Sequence, residues 1–313
     1  MTPGTGPEKA GRHVPVLLED AIRYLNVRAG GTYVDATLGL AGHSAAIARN
    51  LGGHGRLIGF DRDPEALEIA QSRLQSLGQE LGGAMPEVIL HGEEFSALSR
   101  WVEEGSLDGL LADFGVSSMQ LDEARRGFSF QADGALDMRM DPRKGVTAEQ
   151  VVNQAGEKEL ADLIYKFGEE RRSRRFARAI VRARPIMTTA QLAKVISAAA
   201  PAMKAERGRR QSHPATRIFQ ALRIYVNAEL DEIEALLNSA AKLLKPGGRL
   251  VVISFQSLED RLAKDALREG ARQQLFEILT RKPVTASEEE TDRNPRARSA
   301  KLRAAQRTAK EYG

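Results

Sequence analysis

The sequence predicts an α/β fold, in which helices cover both faces of a parallel sheet, with an all-helical domain inserted into it. Short β-rich runs alternate with helical segments between residues 32 and 114, and this alternation resumes after residue 245. Such alternation is typical of a parallel sheet. Residues 147–200, between the two parts, show only amphipathic helical spacing. The helical part is therefore expected to be an insertion.

In the first part, the β-rich runs predict strands at Thr32–Ala36, Arg56–Asp61, Glu87–His91 and Leu107–Phe114. The apolar spacing predicts helices over about 15–26, 43–51, 64–77 and 95–104. Residues 116–145 resemble a loop, residues 201–214 form a basic loop, and a long helical stretch covers about 215–244.

The strand signal returns after the turn Lys245–Gly248, with a strand expected at Arg249–Phe255. A helix near 258–269 and a strand near 274–280 follow. Two interpretations of the remaining tail stay open. It is either a mobile basic segment, or Arg298–Ala305 pairs as a last strand and only about 283–295 is disordered. We place a flexible N-terminus at 1–12, the sheet domain at 13–115 and 216–313, and the helical domain at 116–215.

Composition excludes several classes of protein. The chain has no cysteine, which rules out disulfide scaffolds, cysteine–zinc sites and thiol nucleophiles. No apolar run approaches the roughly 20 residues that span a bilayer, and the N-terminus lacks the apolar core of a signal peptide. The histidines show no metal-ligand spacing. We expect a cytoplasmic protein without a membrane partner or a metal, and the sequence leaves its oligomeric state open.

Positive charge is concentrated in three segments of a chain whose net charge is only +4. Residues 166–184 hold eight Lys or Arg and two Glu, residues 204–223 hold six and one Glu, and residues 293–310 hold seven and no acid. The rest of the chain is therefore net negative. Each segment alone could be a solvated face, but together they favour a polyanionic partner such as nucleic acid.

Acidic and small residues follow the predicted strands where a ligand of an open α/β sheet binds. The turn after the first strand carries Gly39 and Gly42, and Asp61 ends the second strand, where a carboxylate can accept both hydroxyls of a ribose. Asp113 ends the fourth strand, and Phe95 could pack against an adenine. A dinucleotide glycine fingerprint is missing, so S-adenosylmethionine is favoured over NAD. Asp63 is expected to be structural, at a helix start.

Eight segments resemble the MraW family of small-subunit ribosomal RNA cytosine-N4 methyltransferases, in the family's order. They are HVPVLLED at 13–20, DATLGLAGHS at 35–44, DRDPEAL at 61–67, DFGVSSMQLDEARRGFSF at 113–130, LDMRMD at 136–141, HPATRIFQALRIYVNAEL at 213–230, SFQSLEDR at 254–261 and NPRARSAKLR at 294–303. The resemblance implies a class I (Rossmann-like) methyltransferase sheet with an inserted helical substrate-recognition domain. It also implies methyl transfer from S-adenosylmethionine to the N4 amine of a cytidine in the decoding region of 16S ribosomal RNA.

The resemblance also implies site residues. The family's cofactor positions fall on Ala41, Gly42, His43, Asp61, Phe95, Asp113 and Gln120. The cytosine amine needs a proton acceptor, for which Asp113 and Asp137 are candidates, although Asp137 and Asp141 could instead fix their loop through salt bridges. Phe128 or Phe130 could stack on a base or pin the loop. Basic residues predicted to contact RNA phosphates are Arg139, Arg296, Arg298, Lys301 and Arg303.

Four positions depart from the family's pattern: Leu40 and Ala41, where glycine is usual, Met119, where proline is usual, and Gln256, where histidine is usual. A positive φ at Ala41 would be strained. On the helix from 213 to 230, a polar face is expected to form a seam between the domains rather than to bind RNA. Two other functions remain open: an RNA-binding ribosome assembly factor without catalysis, and a methyltransferase that acts on another nucleic acid. The expected partner is small-subunit ribosomal RNA, within the small ribosomal subunit.

Overall fold

A computed structural model describes residues 15–200 and 213–310. Contacts divide the chain into two compact units. The sheet unit comprises the described residues through Asp61, Glu65–Phe114 and those from Leu236 onward, and the helical unit comprises Arg62–Pro64 and Gly115–Ala235. The short segment Arg62–Pro64 therefore belongs to the helical unit, although it connects two elements of the sheet unit along the chain.

The sheet has seven strands: β1 (Thr32–Asp35), β2 (Arg56–Phe60), β3 (Glu87–His91), β4 (Leu107–Asp113), β5 (Leu244–Ser254), β6 (Phe276–Ile278) and β7 (Lys301–Arg307). Their order is β3-β2-β1-β4-β5-β7-β6. The first five pair in parallel, and β7 runs antiparallel to both β5 and β6. This sheet, with its single reversed strand, confirms the predicted class I methyltransferase fold.

The helices of the chain are α1 (Leu18–Leu25), α2 (Gly42–Leu51), α3 (Pro64–Leu81), α4 (Leu98–Trp101), α5 (Ser118–Asp122), α6 (Ala148–Gln154), α7 (Glu157–Gly168), α8 (Ser173–Ala183), α9 (Thr189–Ala199), α10 (Ala215–Val226), α11 (Glu229–Leu243), α12 (Ser257–Arg272) and α13 (Glu288–Arg293). In the described part of the chain, no helix is long and apolar enough to cross a membrane.

The central strands β4 and β5 form the core of the sheet unit because apolar side chains occupy both of their faces. Leu110, Leu111, Val251 and Ile253 are at most 1% exposed. Both faces of a strand are buried when helices cover a parallel sheet on both sides. Each such side chain contributes about 1.5–3 kcal/mol by leaving water.

The C-terminal segment is folded where the sequence left two interpretations open. The strand interpretation is correct, and β7 begins at Lys301 because Pro295–Ser299 form a 3₁₀ turn. The prediction of disorder over 283–295 is wrong, since α13 occupies part of it. The Glu290 carboxylate of α13 accepts the Leu17 N–H at 2.7 Å, which ties this segment to α1.

The long helical stretch expected at 215–244 is two helices, because Ala228 adopts a positive φ of 47° between α10 and α11. In the helical unit, Ile218 and Leu222 of α10 share one apolar core with Leu160 and Ile164 of α7. The unit therefore extends to Ala235, later than the expected boundary near residue 215. The predicted flexible N-terminus and most of the predicted basic loop, residues 201–212, lie outside the described residues.

The loop expected at 116–145 contains the short helix α5. Capping boxes begin three helices of this unit: Ser117 with Gln120, Thr147 with Gln150, and Thr188 with Gln191. In each, the hydroxyl accepts the N–H of the glutamine, whose side chain accepts the N–H of the capping residue.

Candidate active site

The parallel strands bring three carboxylates to one edge of the sheet unit. Asp35 is the last residue of β1, Asp61 follows β2, and Asp113 is the last residue of β4. The fully buried Asp35 accepts hydrogen bonds from the Ser44 hydroxyl at 2.6 Å and the Thr37 N–H at 3.2 Å. Burial raises the pKa of Asp35. Asp35 therefore anchors the turn to α2, a role that sequence reasoning missed although a buried Asp after a strand was a usable signal.

The turn between β1 and α2 has left-handed backbone at two positions. Gly39 has φ +48° and Ala41 has φ +57°. The Gly39 N–H donates to Oδ2 of Asp61 at 2.8 Å, so the turn and the end of β2 form one structure. The strain expected at Ala41 is present, and a left-handed residue with a Cβ costs roughly 1–2 kcal/mol. Ala41 is fully buried.

Gly42 begins α2 against the chain that leads into α1. A Cβ at this position would lie 2.3 Å from Cγ of Pro15, closer than atoms of a folded protein approach. The close packing of Gly42 against Pro15 therefore explains why this position has no side chain. Its predicted contact with a cofactor stays a prediction.

His43 lies in the first turn of α2 and is 6% exposed. Its Nε2 lies 3.1 Å from the Val16 carbonyl oxygen. Because a carbonyl oxygen can only accept, Nε2 carries the proton and donates this hydrogen bond. Its Nδ1 lies 3.8 Å from Oδ2 of Asp113. Burial lowers the pKa of His43 to about 4. At neutral pH the ring is therefore uncharged, and Nδ1 presents a lone pair to Asp113.

Asp113 carries an unpaired polar atom among the described residues. Its Oδ1 is buried without a hydrogen-bond partner among the described residues. Burial raises the pKa of Asp113 well above its usual value, and the charges of Asp35 and Glu259 raise it further. A cation beside this side chain would remove the penalty by favouring the ionised form.

Phe95 begins the segment after β3 and is half-buried. Its ring centroid lies 6.2 Å from that of Phe114, the residue after β4, with an interplanar angle of 41°. The exposed part of the ring offers an apolar surface on which an adenine could stack. That contact stays a prediction.

In the helical unit, Gln120 is buried and uses its amide on protein partners. Its Oε1 accepts the Ser117 N–H, and its Nε2 donates to Oδ2 of Asp63 at 2.8 Å. The guanidinium of the buried Arg126 donates to the same Asp63 oxygen at 2.8 Å. Asp63 is fully buried, as its predicted structural role requires. A cofactor contact of Gln120 stays a prediction.

The loop that carries Asp137 is fixed by ion pairs and by one asparagine. Arg139 donates through Nε and Nη2 to both oxygens of Asp137, each at 2.8 Å. Burial acts to raise the pKa of Asp137, but the hydrogen bonds and charge of Arg139 outweigh it and lower that pKa. The buried Asn227 accepts the Met140 N–H and donates to the Met138 carbonyl, each at 2.7 Å. Met138 between them has φ +63°.

These contacts favour the salt-bridge interpretation of this loop. Asp141 is likewise paired, with Arg143 at 2.8 Å. The other polar residues of α10 also find partners inside the helical unit, Gln220 at the Phe167 carbonyl and Arg223 at Glu229. Neither Phe128, which is buried in the core of this unit, nor Phe130, which packs against that core, is largely exposed for stacking.

Near β7, Arg303 and Lys301, both expected to contact phosphate, pair with a carboxylate of the protein. Arg303 is 8% exposed and donates to Oδ1 of Asp260 at 2.7 Å, and Lys301 lies 3.2 Å from Oδ2 of the same Asp260. Alternation along β7 turns Arg303 inward, which a charge count cannot reveal. Arg296 and Arg298 are exposed.

Gln256 caps the start of α12 and donates through Nε2 to Oε1 of Glu259 at 3.1 Å. Glu259 also accepts the Phe255 and Gln256 N–H groups and is fully buried. Gln256 thus supports a buried carboxylate that acts on Asp113 through its charge. Sequence reasoning identified Gln256 as a departure but missed Glu259.

The sheet unit fits S-adenosylmethionine at the carboxyl edge of its strands. The unsatisfied Oδ1 of Asp113 suits an ammonium donor, and Phe95 offers an apolar face. The ribose contact of Asp61 stays a prediction. The close turn at Gly39 and Ala41 lets backbone approach a ligand, as this edge of an open sheet requires.

Comparisons with known proteins give a consistent result. Residues 10–308 match the MraW methylase family. The chain is 76% identical over 296 residues to "Ribosomal RNA small subunit methyltransferase H" of Acidobacterium capsulatum, covering 95% of this chain and 98% of the relative. It is 60% identical to the protein of the same name from Koribacter versatilis, covering 94% of each.

Among solved structures, it is similar to a SAM-dependent O-methyltransferase of Thermotoga maritima, with a TM-score of 0.43 and 12% identity over 96% of this chain and 69% of the other. The predicted cofactor, S-adenosylmethionine, agrees with the family match. The match covers nearly the whole length of both units, and the chain belongs to the MraW methylase family.

Proposed function

We propose that this chain transfers the methyl group of S-adenosylmethionine to the N4 amine of a cytidine in the decoding region of 16S ribosomal RNA, within the small ribosomal subunit. The observation that carries the proposal is the 76% identity, over nearly the full length of both proteins, to a relative named as a small-subunit ribosomal RNA methyltransferase. The N4 position and the decoding region come from the family resemblance of the motifs.

The chemistry asks the protein mainly for positioning. S-adenosylmethionine supplies a methyl group that its sulfonium already activates. The cytosine amine is a poor nucleophile, because its lone pair is delocalised into the ring. Orientation of two reactants can contribute about 7–11 kcal/mol at the extreme. A cytosine inside a helix would have to leave the stack to present its amine.

In this proposal, the chain's own residues hold the cofactor at one edge of the sheet unit. Asp61 accepts hydrogen bonds from the ribose hydroxyls, and its contact with the Gly39 N–H fixes its position beforehand. Asp113 binds the ammonium group through the oxygen that now lacks a partner. Neutral His43 lies beside Asp113 and adds no competing charge, because burial keeps its pKa at about 4.

The two candidate proton acceptors differ in basicity. Arg139 lowers the pKa of Asp137, so its carboxylate is a weak base. Burial and neighbouring carboxylates raise the pKa of Asp113, so its ionised form is a stronger base. Acceptors placed where positive charge develops stabilise a transition state. Because Asp113 also binds the cofactor's ammonium group in this proposal, and a neighbouring cation lowers the pKa of a carboxyl, Asp113 and Asp137 both stay candidates for the acceptor.

The test is methyl transfer from labelled S-adenosylmethionine to small ribosomal subunits and to protein-free 16S ribosomal RNA. Mass spectrometry of the digested RNA should detect N4-methylcytidine. The matched control is Asp61→Asn, which should lose cofactor affinity by about 10-fold or more with the fold retained, since a hydrogen bond to a charged group contributes about 1.5–3 kcal/mol.

Each other outcome selects one alternative. A methylated nucleoside other than N4-methylcytidine would contradict the assigned position. Label incorporated only into another nucleic acid would favour that substrate. Cofactor binding without transfer to any RNA, or RNA binding without cofactor binding, would favour an assembly factor that lacks catalysis.

A further inference from the structure

A second polar cleft lies at the opposite edge of the sheet unit, where β1, β4 and β5 begin. It opens to solvent and is lined by Arg28, Tyr33, Asp108 and the turn Pro246–Arg249. Two carboxylates of the candidate active site, Asp35 and Asp113, end β1 and β4 at their other ends. A strand advances about 3.3 Å per residue, so the length of β4 separates the two edges by roughly 20 Å.

Two arginines of the cleft have no partner for their guanidinium groups among the described residues. Among residues 15–200 and 213–310, neither Arg28 nor Arg249 makes a side-chain hydrogen bond or ion pair, and Nε of Arg249 is buried without an acceptor. A buried donor without a partner costs about 1–3 kcal/mol. Both charges act on Tyr33: burial raises the pKa of its hydroxyl, and Arg28 and Arg249 oppose that rise.

The acidic residue of the cleft is already neutralised. Oδ2 of Asp108 accepts the Lys245 ammonium at 2.8 Å and the Thr32 N–H at 2.8 Å. The hydroxyl of Tyr33 accepts the Arg28 N–H and donates to the Asn26 carbonyl. With Asp108 matched by Lys245, the two arginines leave the cleft with a local excess of positive charge.

The backbone of β5 shapes this cleft. Leu107 of β4 pairs with Leu244, but Gly109 pairs with Arg249, so the residues between them on β5 form a bulge. Gly247 has φ +84°, and a Cβ on Gly248 would lie 2.8 Å from the Leu107 carbonyl oxygen. Bulges commonly redirect a side chain. Here the bulge precedes Arg249 and forms one wall of the cleft.

We propose that this cleft binds a phosphate group, which bridges the guanidinium groups of Arg28 and Arg249. Oxyanions accept two parallel hydrogen bonds from a guanidinium, and this pairing would supply the acceptor that Nε of Arg249 lacks. A phosphodiester of the substrate RNA and free inorganic phosphate share this chemistry. For the RNA source, the inference rests on the proposed function, and it places part of the substrate's backbone away from the reacting nucleotide.

The test compares Arg28→Gln and Arg249→Gln with the matched control Arg268→Gln, whose arginine is exposed on α12. Calorimetry with inorganic phosphate and filter binding of 16S ribosomal RNA at several salt concentrations are both measured without methyl transfer. We expect each cleft variant to weaken binding by about 10-fold or more. The salt dependence of RNA binding should lose about one unit of slope per removed contact. S-adenosylmethionine affinity and melting temperature report whether the variants are folded.

Loss of RNA affinity, with unchanged S-adenosylmethionine affinity, identifies the RNA backbone as the ligand. Loss of inorganic phosphate binding alone identifies free phosphate. If folded cleft variants match Arg268→Gln with both probes, the inference is overturned. Because these readouts need no methyl transfer, failure of the proposed function would appear separately, as wild-type protein that binds RNA but does not methylate it.

Discussion

Single residues at the carboxyl edge of the sheet and in the helical unit carry backbone strain or a polar atom without a hydrogen-bond partner. The rest of the fold has to offset the free energy that these features cost. Ala41 holds a left-handed conformation, Met138 does so in the helical unit, and Asp113 leaves one oxygen without a partner among the described residues. Strained positions of this kind concentrate at functional sites. Two of these residues yield direct predictions.

Ala41→Gly should stabilise the protein by about 0.5–1 kcal/mol, because relief of left-handed strain exceeds the extra entropy of an unfolded glycine. Urea denaturation followed by circular dichroism measures the change. The control is Ala45→Gly in the interior of α2, which should lower the stability of the protein by about 1 kcal/mol. Equal losses in both variants would show that the turn gains nothing from glycine.

Asp113→Asn should stabilise the cofactor-free protein increasingly as pH rises. The folded-state pKa of Asp113 is raised, so the folded protein binds more protons than the unfolded chain above pH 3.8. Wild-type stability from this group is therefore present below that pH and is lost as pH rises through the folded pKa. Melting temperatures between pH 4 and 8 should diverge in favour of the variant. A constant difference would contradict this assignment.

The same variant should weaken S-adenosylmethionine binding by about 10-fold or more at pH 8, because an amide cannot neutralise an ammonium. In the wild type, affinity should rise with pH as Asp113 ionises, and in Asp113→Asn that dependence should disappear. Calorimetry at several pH values measures both. The same pH dependence in the variant would place the titrating group elsewhere.

At the scale of elements, α12 and β7 are connected by one carboxylate. Asp260 pairs with Arg303 and Lys301. Burial acts to raise the pKa of Asp260, but these two cations outweigh it and lower that pKa. Asp260→Ala should destabilise the protein by about 3 kcal/mol, since Arg303 would stay buried without a partner. Asp265→Ala, on the exposed side of α12, should change stability by less than about 0.5 kcal/mol. Denaturation midpoints and hydrogen exchange of β7 distinguish the two variants.

Sequence reasoning located most strands because β-rich runs and turn residues are local signals. It could not locate the break at Ala228, since one residue with positive φ interrupts an otherwise continuous helical pattern. The pairing of Arg303 with Asp260 was also out of reach, because it joins residues 43 positions apart. The positions of Asp61 and Asp113 at the ends of predicted strands identified both residues, whereas their partners emerged only from the fold.

At the scale of the whole molecule, the chain is not divided as the sequence suggests. Asp63 lies between β2 and α3 along the chain, yet its partners Gln120 and Arg126 belong to the helical unit. The short segment Arg62–Pro64 thus supplies the carboxylate of a cluster of buried polar groups. The other members of this cluster, Gln120 and Arg126, come much later in the sequence.

Asp63→Ala should destabilise the helical unit by about 3–5 kcal/mol, because Arg126 would remain buried and uncompensated. Hydrogen exchange followed by mass spectrometry should show faster exchange over residues 115–135. Arg125→Ala, which removes an exposed ion pair with Glu123, is the control and should leave exchange unchanged. The Arg126 guanidinium also donates to the Arg139 and Met140 carbonyl oxygens. Unchanged protection in Asp63→Ala would show that these two hydrogen bonds alone hold Arg126.

The position of β7 in the sheet bears on how the protein is made. This strand lies between β5 and β6, so a ribosome must deliver Lys301–Arg307 before the sheet can close. Until then β5 presents an unpaired strand edge, and such edges invite association with other chains. Pairings between distant segments also form slowly. Biogenesis of this protein therefore passes through a period in which five parallel strands have been synthesised and β5 has not yet paired with β7.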